Sequence, residues 1–185
     1  MNIKWTLFIV ILIIGGLIMP PGSPGESALS DAQKIKQVYR MYSDYKKDFP
    51  EVMDMTPQAA MALLKKDQII FVDTRKPAEM RVSTLPAAIT KKEFLKHPGK
   101  YNGKTVVTYC TISYRSGVFA RNMAEEGITV YNLTGGILAW TLEGGKVYDA
   151  AGVTKRIHVY GNKWDLSPSG YETEKFGFWE QIFPK

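Results

Sequence analysis

Three short apolar runs constrain the fold of this chain more than any other feature. They read IIFVDT at 69–74, TVVTYC at 105–110 and ITVYNL at 128–133. Their β-branched and aromatic content is typical of buried strands. Segments with helical spacing separate them, among them RSGVFARNMAEEG, in which Gly127 is placed to end a helix. Strands that alternate with helices predict an α/β fold, with a parallel sheet covered by helices on both faces.

Shorter elements complete the alternation. Thr56 and Pro57 predict the start of a helix before the first apolar run. Farther along, the sequence predicts a short helix over 77–81, a strand over 88–90, a helix over 91–97 and a last helix over 137–145. These elements belong to a single domain, which we place at residues 51–147.

Two extensions flank this domain. Apolar residues spaced by three and four after Ser30 predict an N-terminal helix within 28–50 that stops at Pro50. Residues 148–185 are rich in Gly, Pro and aromatic residues, with one predicted strand at 156–160. We expect this C-terminal extension to pack on the domain through its aromatic side chains or to line a site with one of them; they are Trp164, Tyr171, Phe176, Phe178 and Trp179.

Residues 1–27 differ in composition from the rest of the chain. A lone Lys4 precedes an apolar run from Thr6 to Met19, and the linker PPGSPGES follows. The run has the length of a signal-peptide core, and it approaches a membrane span only when it is extended toward Ile3. We therefore expect an exported protein, either released into a bacterial-type periplasm or attached to the membrane with its domain outside the cytoplasm.

Charge and histidine content argue against several classes of function. The formal net charge is +6, but the Lys and Arg residues are scattered and do not form the basic stripe of a nucleic-acid surface. His97 and His158 lack neighbours at metal-ligand spacing, so no metal site is expected. The chain has no Gly-rich phosphate fingerprint, and no organic cofactor is expected.

The only cysteine, Cys110, ends the second apolar run. The segment from Thr111 to Tyr114 then forms a strand-to-helix loop at the carboxyl edge of the sheet, where open α/β sheets bind ligands. Inward backbone amides and Arg115 would stabilise a thiolate there, and the thiolate is the nucleophilic form. The alternative is an inert buried cysteine, because cysteine is among the most buried residue types.

Several motifs in a fixed order resemble the rhodanese-like family over residues 52–147. FVDTRKPAEM contains the Asp-x-Arg pair Asp73 and Arg75, and LPAAI follows. The six-residue loop from Cys110 to Arg115 comes next, and the Gly-Gly-x-x-x-Trp segment of Gly135, Gly136 and Trp140 closes the series.

The resemblance implies a sulfurtransferase of the thiosulfate type. Cys110 would take the outer sulfur of a small anionic donor as a persulfide and pass it to cyanide or to a thiol, which could belong to another protein. Arg115 would bind the leaving anion or the thiolate, and Arg115→Ala would weaken donor use more than folding. The resemblance assigns the substrate-binding loop to Thr111, Ile112, Ser113, Tyr114 and Ser116, and a supporting ion-pair set to Asp73, Arg75 and Glu79.

Departures from the family pattern leave the donor open. Ser113 occupies a loop position that is glycine in many relatives, and STLPAA at 83–88 lacks the usual histidine. Two other functions remain as alternatives. The first is a binding or persulfide-carrier module that acts with a protein partner. The second is a phosphatase, although related phosphatases have a Cys-x5-Arg loop and this chain has Cys-x4-Arg.

Overall fold

The fold is known from a computed structural model, which describes residues 28–176. The signal peptide or anchor predicted at 1–27, and the aromatic residues Phe178 and Trp179, lie outside the described residues. Between residues 28 and 176 no helix is both long enough and apolar enough to cross a membrane.

The described chain alternates helices and strands up to residue 142 and continues mainly as short strands. The elements are α1 (Asp31–Tyr45), β1 (Asp54–Met55), α2 (Pro57–Leu64), β2 (Ile69–Asp73), α3 (Pro77–Val82), β3 (Ile89–Thr90), α4 (Lys91–Lys96), β4 (Thr105–Tyr109), α5 (Tyr114–Glu125), β5 (Tyr131–Leu133), α6 (Gly136–Leu142), β6 (Val147–Asp149), β7 (Gly152–Thr154), β8 (Arg156–His158) and β9 (Glu172–Glu174).

The central sheet has five parallel strands in the order β1-β5-β4-β2-β3. The two central strands, β2 and β4, pair in register from Ile69 and Thr105 to Asp73 and Tyr109. All five carboxyl ends therefore point to one edge, and the loop that contains Cys110 leaves from the middle of that edge. This architecture confirms the α/β fold with a parallel sheet.

Helices cover both faces of the sheet, as the alternation predicts. Phe71 and Val107 point into a core cluster shared with α1, α2 and α6. Val72 and Val106 point to the opposite face, where they pack with residues of α4 and α5. Successive strand residues face opposite sides, so a sheet buried on both faces needs continuous apolar runs.

The C-terminal extension is more ordered than the sequence predicts. The predicted strand at 156–160 is β8, and it pairs in parallel with β9. An antiparallel hairpin of β6 and β7 precedes it and has no counterpart among the predicted elements. Each of these strands has three residues, which is too short to show a period of two in the sequence.

The two extensions contact each other beside the carboxyl edge of the sheet. The carboxylate of Asp31, at the start of α1, accepts hydrogen bonds from the amide and hydroxyl of Ser169, both at 2.9 Å. Lys34 Nζ donates to the carbonyl of Ser167 at 2.8 Å. Trp164 Nε1 donates to the hydroxyl of Tyr45 at 3.3 Å. These contacts bring aromatic residues from both extensions to the loop that contains Cys110.

Candidate functional site

Cys110 follows the last residue of β4, and α5 begins four residues later at Tyr114. The thiol is free and the residue is 2 % exposed. Within residues 28–176 the backbone amides of 111–116 have no backbone carbonyl as partner, and the first such bond of α5 runs from Gly117 to Ser113. A group of unpaired amides at a helix start favours negative charge. The loop can therefore hold a thiolate or a persulfide anion.

The residues that follow the Gly-Gly motif bind this loop through backbone hydrogen bonds. The amide of Ile137 donates to the carbonyl of Cys110 at 2.9 Å, and the amide of Leu138 donates to that of Thr111 at 3.3 Å. Gly136 has φ +59°, and a Cβ there would lie 2.4 Å from the Cys110 carbonyl oxygen. Only glycine permits so close an approach in this conformation. The first turn of α6 thus fixes two loop carbonyls through its own amides.

Ser113 has a backbone conformation that glycine adopts more readily than other residues. Its φ is +73°, in the left-handed region, and its hydroxyl donates to the carbonyl of Leu133. Asn132 adds to this support, because its Nδ2 donates to the Ser113 carbonyl at 3.1 Å and its Oδ1 accepts from the Ser116 hydroxyl at 2.7 Å. Both serine hydroxyls donate to residues of β5. The two hydroxyls therefore anchor the loop, while the backbone amides of both residues stay among the amides of 111–116 that have no backbone partner in the described part of the chain.

Arg115 is paired with Glu79 of α3. Its Nη1 and Nη2 donate to the two carboxylate oxygens of Glu79, each at 2.8 Å. Nη1 also donates to the hydroxyl of Tyr160 at 2.6 Å, and the guanidinium lies 4.7 Å from the centre of the Tyr160 ring. Burial lowers the pKa of Arg115, but the hydrogen bonds to Glu79 and the charge of a Cys110 thiolate outweigh it and raise the pKa.

Glu79 is the centre of this network and is 1 % exposed. Besides Arg115, it accepts from the Tyr160 hydroxyl at 2.9 Å and from the amide of Lys76 at 3.0 Å. His158 Nδ1 lies 3.3 Å from its other oxygen. Burial raises the pKa of Glu79, but the hydrogen bonds from Arg115 and the nearby His158 ring prevail and hold it well below its ordinary value. Burial likewise raises the pKa of Tyr160 to about 12, so its hydroxyl remains a donor.

Asp73 and Arg75 form a separate, fully buried pair. Arg75 Nη2 donates to Asp73 at 2.6 Å and to the carbonyl of Ser83 at 2.6 Å. This pair joins the end of β2 to the segment after α3 and does not line the pocket described next. Of the three residues predicted to form a supporting ion-pair set, Asp73 pairs with Arg75, and Glu79 pairs with Arg115.

A pocket of about 450 Å³ opens above Cys110. Its floor consists of Cys110, Thr111 and Ile112, and Arg115 lies at its side. Four aromatic residues form the rest of the wall, and we call them the aromatic collar: Tyr45, Tyr114, Tyr160 and Trp164. Of the aromatic residues named in the C-terminal extension, Trp164 lines the site.

The structure thus brings Cys110, Thr111, Ile112, Tyr114 and Arg115 to one pocket, with Glu79 directly behind Arg115. Sequence reasoning missed Tyr45, Tyr160 and Asn132. Tyr45 reads as one more apolar residue of the N-terminal helix, and Tyr160 as the end of a strand. Within residues 28–176 no group of three or more His, Cys, Asp or Glu side chains is arranged to hold a metal ion.

Comparisons with known proteins find similarity over the central part of the chain. The family model of the rhodanese-like domain matches residues 56–143. A protein of Synechocystis sp. named only as uncharacterised is 31 % identical over 94 residues, covering 49 % of this chain and 52 % of that protein. The tRNA uridine(34) hydroxylase of Bordetella avium is 36 % identical over 113 residues, covering 55 % and 45 %.

Among solved structures, the polysulfide-sulfur transferase homodimer of Wolinella succinogenes has a TM-score of 0.46 and 22 % identity. The alignment covers 60 % of this chain and 89 % of that one. The chain spans about half the length of these two curated relatives.

Proposed function

Residues 56–143 of this chain belong to the rhodanese-like family, and from that premise we propose that the protein is a sulfurtransferase that carries sulfane sulfur on Cys110. The observation that supports this function is the position of the thiol. Cys110 is the only cysteine of the chain, and it begins a loop whose amides have no backbone partner within residues 28–176. An inert core cysteine needs no such loop.

The proposed reaction has two steps. The Cys110 thiolate attacks the outer sulfur of a donor, whose sulfur–sulfur bond breaks as the leaving group departs with the electron pair. The loop amides stabilise the resulting persulfide anion. An acceptor thiolate or cyanide then attacks the outer sulfur of that persulfide and restores the Cys110 thiolate. No electrons enter or leave in either step, so the reaction requires no cofactor.

The acceptor must come from outside the chain. The protein has no second cysteine that could resolve the persulfide. A small thiol, cyanide or a protein thiol would serve, and the last of these would make the protein a persulfide carrier for a partner. On the composition of residues 1–27 the proposal also includes export, either to a bacterial-type periplasm or to a membrane-anchored position with the domain outside the cytoplasm.

Turnover assays test the proposed function. Wild-type protein is incubated with thiosulfate, or with an organic persulfide, together with cyanide, and thiocyanate is measured. We expect product with at least one donor and none with Cys110→Ser. The thermal midpoints of the two proteins show that the variant is folded. Full turnover by Cys110→Ser would refute the mechanism, and no turnover with any donor, while Cys110 is alkylated readily, would favour the binding module.

A further inference from the structure

Resting on this proposed function, we propose that the pocket over Cys110 takes an organic persulfide, R–S–SH, whose body R is apolar and of aromatic size, in preference to thiosulfate. The volume is the first argument. Pockets of about 300–1,000 Å³ are typical of sites for organic ligands. At about 450 Å³ the pocket falls in this range, whereas thiosulfate and cyanide would leave most of it empty.

The aromatic collar is the second argument, because its members contact one another around the opening. The rings of Tyr45 and Tyr114 meet edge to face with centroids 5.3 Å apart, and those of Tyr160 and Trp164 do so at 6.3 Å. The hydrogen bond from Trp164 to Tyr45 joins the two pairs. Aromatic faces and edges favour a planar apolar group between them. Tyr45, Tyr160 and Trp164 lie outside the matched residues 56–143, so this chain adds them to the domain.

The charge of the pocket is the third argument. Arg115 is the only charged residue among the described residues that line it. Both of its outer nitrogens are already bound by Glu79, so the pair as a whole is neutral. A donor with two negative charges would have to compete with a buried carboxylate for this guanidinium. A neutral donor, R–S–SH, does not compete with Glu79 for Arg115, and the loop amides stabilise the charge that forms on the Cys110 persulfide after transfer.

Thr111 supplies a fourth observation. The residue lines the floor of the pocket next to Cys110 and is 3 % exposed. Its hydroxyl has no hydrogen-bond partner within residues 28–176. Buried hydroxyls normally have a partner. A sulfur atom of a bound organic persulfide would provide one at this position.

The transfer is balanced. The Cys110 thiolate attacks the outer sulfur of R–S–SH, the bond between the two donor sulfurs breaks, and RS⁻ leaves with the electron pair. Cys110 then carries –S–SH, which loses its proton to solvent and binds the loop amides as an anion. The apolar body R holds the leaving group RS⁻ in the aromatic collar until RS⁻ dissociates.

The test compares three donors at one concentration of cyanide: benzyl persulfide, methyl persulfide and thiosulfate. Burial of a phenyl-sized group contributes about 1.5–3 kcal/mol, so kcat/KM for benzyl persulfide should exceed that for methyl persulfide about 10- to 150-fold. Trp164→Leu should reduce this ratio about 2- to 10-fold, since it removes one aromatic contact. Tyr101→Leu is the matched control, because Tyr101 stacks on Phe94 away from the pocket. It should leave the ratio unchanged.

The outcomes separate this inference from the function on which it rests. If benzyl and methyl persulfide give equal kcat/KM, or thiosulfate exceeds both, the substrate class is wrong while sulfur transfer stands. If Trp164→Leu and Tyr101→Leu change the ratio equally, the collar does not select the donor. If none of the three donors gives thiocyanate, the proposed function itself fails.

Discussion

Arg115→Ala should lower the free energy of unfolding as well as impair catalysis. The resemblance alone predicts an effect mainly on donor use, whereas in the structure Arg115 also stabilises the fold through an ion pair. It is the cationic partner of Glu79, a carboxylate that is 1 % exposed. Without Arg115 that carboxylate keeps the Tyr160 hydroxyl, the Lys76 amide and the neighbouring His158 Nδ1, but it loses the guanidinium that binds both of its oxygens.

The size of the loss follows from the burial of the two partners. Removing one member of a buried ion pair costs about 3–5 kcal/mol, because it leaves an uncompensated buried charge. The Arg115 side chain is 30 % exposed, so water can enter part of the space that it leaves. We therefore expect the lower end of that range, about 3 kcal/mol. With a urea m-value of about 2 kcal/mol/M, the unfolding midpoint should fall by about 1.5 M.

A double-mutant cycle measures this directly. Urea unfolding is followed for wild type, Arg115→Ala, Glu79→Gln and the double variant Arg115→Ala/Glu79→Gln. The neutral amide removes the unpaired charge, so the double variant should be more stable than Arg115→Ala alone. A coupling energy of about 1–3 kcal/mol is expected for groups in direct contact. Equal midpoints for wild type and Arg115→Ala, or a double variant less stable than Arg115→Ala, would refute the reasoning.

Three further predictions concern the loop and its support. Gly136→Ala should be about 1–3 kcal/mol less stable than Gly144→Ala in urea. Both glycines have positive φ, but of the two only a Cβ at 136 would lie within 3 Å of backbone atoms. Equal losses of stability would exclude this clash. Ser113→Gly should be about 1–2 kcal/mol more stable than Ser113→Ala. Both variants lose the hydroxyl, and only alanine is strained at φ +73°. The reverse order of stability would contradict a left-handed backbone at this position. Glu79 has a lowered pKa in the folded state, so its contribution is complete above its ordinary pKa of 4.5 and is lost as pH falls through the folded value. The urea midpoint of wild type should thus fall more steeply below pH 4.5 than that of Glu79→Gln, and parallel slopes would dismiss the role of Glu79.

The sequence was sufficient for the core of the fold because the sheet is buried on both faces. Continuous β-branched runs mark such strands, and β2 and β4 lie where those runs predict them. The run at 128–133 is less accurate, since β5 begins only at Tyr131. The amide of Ile128 donates to the carbonyl of Met123 at 2.8 Å, which closes the end of α5. Residues 128–130 therefore belong to the connection, although their composition is that of a strand.

The site was predictable where it follows from local order along the chain. The loop from Cys110 to Arg115 lies between a strand and a helix, and its position at the sheet edge follows from that alone. The partners of Arg115 do not follow from local order along the chain. Glu79 lies 36 residues before it and Tyr160 lies 45 residues after it. Such pairings depend on how α3 and the C-terminal extension pack, which hydrophobic periodicity does not specify.

The proposed persulfide on Cys110 can be tested directly by mass spectrometry. Protein from residue 28 onward and its Cys110→Ser variant are incubated with thiosulfate and, separately, with benzyl persulfide, and intact mass is measured before and after cyanide is added. Sulfur transfer predicts that wild type gains the mass of one sulfur atom with at least one donor, that cyanide removes it, and that Cys110→Ser gains nothing. A wild-type mass that stays unchanged with both donors, or an equal gain by Cys110→Ser, would contradict sulfur transfer through this cysteine.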